Sequence, residues 1–137
     1  MKEQKTEIVK AWVRKAENDI ITARQTLCLP NGPTDTVCFH SQQAVEKTLK
    51  AILTYNNVEF PKIHNLVRLL DMVISFIPDL NIFREHFAEM SSHAIEIRYP
   101  DYLYEPTRAD AIKALEIAEK VLKKVKEVII QNDADKI

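Results

Sequence analysis

Residues 34–55 read TDTVCFHSQQAVEKTLKAILTY, and this stretch decides the fold class. Val37, Ser41, Ala44, Thr48, Ala51 and Tyr55 recur at spacings of three and four, the signature of one face of an α-helix. Cys38, Val45, Leu49, Ile52 and Leu53 form a second, adjacent stripe. So wide an apolar face belongs to a central helix packed on more than one neighbour. The small residues Ser41, Ala44 and Ala51 allow another helix to approach closely. Thr34 or Asp35 is placed to cap the first turn by accepting a bond from a free backbone N–H.

The segments on either side follow the same rule. Upstream, from about Thr6 to Leu27, Ile8, Ala11, Trp12, Ala16, Ile20, Ala23 and Leu27 make one stripe, while Arg14, Lys15, Glu17, Asp19 and Arg24 fill the remaining arc. Pro30-Asn31-Gly32-Pro33 cannot continue that helix. Downstream, a loop over 56–63 leads to a third helix with Leu66, Leu69, Leu70, Val73 and Ile77, which stops at Pro78. A fourth, from about Leu80 to Ile97, carries Phe83, Phe87, Met90, Ala94 and Ile97 on one face. A non-helical aromatic stretch over 99–105 follows. A fifth helix starts at Thr107, where Thr107 and Asp110 have capping-box spacing, and its stripe runs from Ala111 to Ile129. The polar residues 131–137 read as a frayed tail.

The fold expected is all-α: an antiparallel up-and-down bundle of four to five helices in a single domain over residues 1–137. Composition agrees. One glycine in 137 residues, Gly32, is too few for the turns of an all-β fold. No apolar run reaches the roughly 20 residues of a membrane span, and the charged opening is unlike a signal peptide, so a cytoplasmic protein is expected. Cys28 and Cys38 lack CxxC spacing and read as reduced thiols. His86 and His93, seven apart with no ligand at the spacing between, make a poor metal site, so neither metal nor cofactor is expected. At net charge −1, any nucleic-acid binding would rest on a local patch.

Two stretches carry more polar chemistry than packing requires. His40, Gln43 and Lys47 share one face of the second helix, and imidazole, amide and ammonium together suit a phosphate or the edge of a base. The competing reading is that a central helix needs a polar face and that its amides pin helix packing. Arg98 stands where the fourth helix ends, followed by Tyr99, Asp101, Tyr102 and Tyr104. Arginine among aromatics suits a phosphate or a stacked base. Equally, Arg98 can pair with Asp101 or helix-end carbonyls while the tyrosines cover the bundle. His64 precedes the third helix, where capping that helix is the first expectation and joining a site the second.

At these residues the chain resembles the HEPN family of prokaryotic helical proteins. The resemblance rests on Trp12 and the Ala16–Asp19 region, the block from Phe39 to Ala51, the run His64-Asn65-Leu66, and Arg98-Tyr99-Pro100-Asp101 before a long last helix. It implies a helical bundle that dimerises, a link to nucleotide binding, and a minimal nucleotidyltransferase as partner protein in a toxin–antitoxin-type module. Some members are metal-independent ribonucleases that use an arginine followed after four to six residues by a histidine. Here the residues after Arg98 include Tyr102, Leu103, Tyr104 and Glu105 but no histidine, so that motif is absent. The reading adopted is therefore a non-catalytic homodimer binding a nucleotide or RNA phosphate through His40, Gln43, Lys47, His64, Arg98, Asp101, Tyr102 and Tyr104. The alternatives are a structural neutralising partner without ligand, and a divergent ribonuclease in which His40 or His64 replaces the missing base.

Overall fold

The computed structural model describes residues 2–98 and 105–135, with side chains for 3–92 and 105–133. Its elements are α1 (Lys2–Cys28), α2 (Thr34–Tyr55), α3 (Leu66–Val73), a 3-10 turn (Pro78–Phe83), α4 (Arg84–Arg98) and α5 (Arg108–Asp135). Among the described residues there is no strand, and the all-α bundle expected from the sequence is what forms.

Cross-helix bonds fix the helix directions. Lys5 at the start of α1 reaches the Tyr55 carbonyl at the end of α2 (3.2 Å), and Asp19 meets His40 near the middle, so α1 and α2 are antiparallel. Arg24–Glu119 and Glu17–Lys126 (each 3.2 Å) set α1 antiparallel to α5. Thr34 bonds the Pro106 carbonyl, and Tyr55 bonds Asp133, so α5 runs with α2. The intervening α3 and α4 form their own antiparallel pair, tied by Arg84–Asp71 (2.8 Å) and by the Leu66 N–H donating to Ser91 Oγ (2.9 Å).

α2 is central as expected: it packs against α1, α5, α3 and α4, and most of its length is buried. Ser41, Ala44 and Ala51 are fully buried inside this chain, so the close approach they allow is to the chain's own helices. The small-residue face of α2 is thus consumed in the chain's own core. That core joins Ala16, Ile20 and Ala23 of α1, Leu49 and Ile52 of α2, and Val121 and Val125 of α5. Phe87 of α4 is wholly buried and stacks on Phe83, with ring centroids 6.0 Å apart.

Local chemistry moved several boundaries. α1 buries Val9 rather than Ile8, which is 51% exposed. The stripe is phased on Val9, Ala16, Ile20 and Ala23, and Ile8 falls one position, about 100°, off it. Neither Thr34 nor Asp35 caps α2: Pro33 holds the cap position, the Thr34 hydroxyl donates to Pro106 O (2.6 Å), and Asp35 accepts from its neighbour's N–H. The capping box at α5 does form, with Thr107 N–H on Asp110 and Asp110 N–H on Thr107, both at 3.0 Å. α5 also continues through Asp135, helped by the Tyr55 hydroxyl donating to Asp133 (2.8 Å). Gly32 is required by contact: a Cβ there would collide with the Thr26 carbonyl oxygen at the end of α1.

Candidate functional site

The polar residues of α2 fall into two groups. The first spans the seam with α1. Asp19, assigned to the polar arc of α1 from periodicity, is in fact buried. Its Oδ1 lies 2.8 Å from His40 Nδ1, and its Oδ2 accepts from Lys47 Nζ at 2.6 Å. His40 and Lys47 are seven residues apart, two helical turns, so one carboxylate from the neighbouring helix can bridge them. Both side chains are roughly one-quarter exposed, so the group sits at the surface end of a buried anchor.

The consequence is partly electrostatic. The Lys47 ammonium is balanced by Asp19, so it does not stand as a free cation beside the His40 imidazole. What the seam has instead is order. With Nδ1 engaged by a carboxylate, the imidazole is held in one orientation and Nε2 is the nitrogen left to meet another group. The ammonium has three protons, one of which is given to Asp19.

The second group lies toward the loop before α3. Glu46 Oε2 is 3.2 Å from Lys50 Nζ and 3.2 Å from His64 Nδ1. Glu46 and Lys50 are 6% and 8% exposed, whereas His64 is 73% exposed. The Lys50 ammonium also lies over the rings of Trp12 (5.7 Å) and Phe60 (5.8 Å), which gives a buried cation two aromatic faces besides its carboxylate. Gln42 donates to Glu46 (3.5 Å) and to the His64 carbonyl (3.3 Å), and Gln43 donates to Gln42 (2.8 Å). Gln43 therefore parts from His40 and Lys47 and belongs to the chain of bonds that ends at His64. Among the described residues, every buried side-chain nitrogen and oxygen has a hydrogen-bond partner.

His64 does not cap α3. That role is taken by Asn65, whose Oδ1 accepts from Val67 N–H (3.0 Å) and Arg68 N–H (3.1 Å). Asparagine reaches both donors with a short side chain, while the His64 ring is drawn to Glu46. Asp101, Tyr102 and Tyr104 lie outside the described residues; Arg98 ends α4, and its side chain lies outside them too.

Four residues of these groups escape periodicity: Asp19, Gln42, Glu46 and Lys50. The signal available for two of them is Glu46 and Lys50 at i, i+4, flanked by Val45, Leu49 and Ile52 on a helix read as central with a wide apolar face. Cys38, near Asp35 and Asp110, is pushed up to about 11, first by burial and then by those two carboxylates, so its thiol keeps its proton. Tyr55 is likewise raised to about 12, by burial and then by its bond to Asp133. Among the described residues, no three His, Cys, Asp or Glu side chains gather as a metal-ligand set. Nor is any helix among them long and apolar enough to cross a membrane.

The sequence profile of the HEPN domain matches residues 9–128, and this chain belongs to the HEPN domain family. It is similar to a protein of Methanocaldococcus jannaschii named "Putative toxin MJ1304", with 28% identity over 134 residues that cover 88% of this chain and 87% of the relative. No solved structure matches the chain.

Proposed function

We propose that this chain is the HEPN component of a toxin–antitoxin-type module, working as a homodimer that binds a nucleotide or RNA phosphate and is partnered by a minimal nucleotidyltransferase. Family membership and the similarity to a relative named as a toxin support the module. The observation that carries the ligand is the Asp19 carboxylate, which orders His40 and Lys47 side by side at a partly exposed seam. A phosphate arriving there meets donors whose orientation is already fixed, so little side-chain entropy is lost on binding. Arg98, at the end of α4, is the further cation assigned to the ligand.

Calorimetry of the full chain with ATP, GTP and short RNAs tests this reading. Binding that weakens in Lys47→Ala and Arg98→Ala is the expected result. No heat with any of them would overturn it, and so would binding unchanged in both variants.

One observation favours a second reading, a divergent metal-independent ribonuclease. A histidine whose Nδ1 faces a buried carboxylate is arranged as a general base, with Nε2 available to take the proton of a ribose hydroxyl. Cleavage of labelled RNA without metal, abolished in His40→Ala, is the outcome this reading requires. An inert wild-type protein removes it.

A further inference from the structure

Residues of α1 and α5 line an open groove of about 600 Å³. Its floor includes Ile20 and Leu122, both buried, while Ile21 (47% exposed) and Ile130 (65% exposed) stand at its edges. The ion pairs Arg24–Glu119 and Glu17–Lys126 join its two walls and fix their antiparallel register. Lys120, Lys123 and Glu127 complete the charged lining. We infer that this groove is the face through which two copies of the chain pair, α1 of each lying against α5 of the other. The inference rests on the dimer of the proposed function and not on its ligand.

The charge pattern selects the occupant. The lining carries both signs, with Glu17, Glu119 and Glu127 set among Arg24, Lys120, Lys123 and Lys126. A nucleic acid or an anionic lipid surface is favoured by a dominantly basic face, which three carboxylates among the lining charges do not make. A second copy of the same face needs self-complementarity, and the register supplies it. A two-fold axis parallel to the helices leaves each residue at its own height and sets α1 of one copy opposite α5 of the other. At those heights Glu17 of one copy faces the level of Lys126 in the second, and Arg24 faces the level of Glu119. These are the acid–base pairings already made within the chain. At the level between them, Ile21 of each copy comes over the Leu122 floor of the other, a knob entering a hole. The contact occurs twice by symmetry and closes, so it yields a dimer and not a filament.

Sedimentation equilibrium of the full chain at micromolar concentration tests the face. Wild type is expected to be dimeric. Ile21→Glu and Lys123→Glu, both at exposed positions, are each expected to weaken the dimer by roughly tenfold or more while far-UV dichroism stays helical. Ile82→Glu, on the 3-10 turn and outside the groove lining, is the control and should leave the dimer intact. A dimer that persists in both groove variants overturns the face and leaves the dimer of the proposed function standing. A wild-type monomer overturns both. Loss of the dimer in Ile82→Glu alone places the interface elsewhere.

Discussion

The Asp19 carboxylate stands 2.8 Å from the His40 imidazole, each held by a different helix and separated by 21 residues of chain. The same carboxylate takes the Lys47 ammonium on its other oxygen. One buried acid on α1 therefore orders the two α2 side chains assigned to the ligand, and it fastens the two helices to each other. Asp19→Ala removes both bonds at once. With the Lys47 ammonium left without its carboxylate in a half-buried seam, it should cost about 2 kcal/mol in urea unfolding. Unchanged stability would show that the seam is solvated and carries no such bond.

Glu46 holds a more deeply buried cation. Glu46→Ala leaves the Lys50 ammonium with only the faces of Trp12 and Phe60, and should cost about 3 kcal/mol. Adding Lys50→Met removes the stranded charge and should recover part of that loss. A double variant less stable than Glu46→Ala alone would mean that Lys50 contributes mainly through its stem and its aromatic neighbours.

The division of labour at the start of α3 separates two adjacent residues. Asn65→Ala should cost about 1 kcal/mol, because two backbone N–H groups lose their acceptor. His64→Ala should cost less, since its ring is largely exposed. The reverse order in thermal or urea unfolding would return the cap to His64.

The two thiols should differ in reactivity. Cys28 is exposed, whereas burial and two nearby carboxylates hold the Cys38 thiol up at about 11. At about pH 8 a thiolate-specific reagent should label Cys28 rapidly and Cys38 slowly. The linkage follows the same sign. A thiol raised above its unfolded value keeps its proton in the fold, so its contribution to stability is whole below about pH 9 and is lost as pH rises toward about 11. Equal labelling rates in the native protein would contradict both statements.

Phe87 tests the packing of α4 on the core. It is fully buried, so Phe87→Ala should cost about 4 kcal/mol, read as a shift of the urea midpoint.

The helices were legible because burial of an apolar stripe depends on spacing, and spacing is a property of the chain itself. The central place of α2, the capping box of Thr107 and Asp110, and the break at Pro30–Pro33 all follow from local residue types. The site was legible only by halves. His40 and Lys47 were visible as neighbours on one helix face, but Gln43, at the intermediate spacing, turns to Gln42 instead. A side chain between two faces goes to whichever partner packing brings near, and periodicity does not name that partner.

By itself, the sequence determined a chain of amphipathic helices around a central one, since each stripe and stop signal acts within a few residues. Only the tertiary structure decided which charges meet. It brought Asp19 to His40 and Lys47 from another helix, drew His64 away from a cap to Glu46, and buried Ser41, Ala44 and Ala51 against the chain's own helices. The reason is the reach of the interactions. Helix formation is local, whereas an ion pair across a seam depends on the rotation and register of two helices, which the whole core sets together.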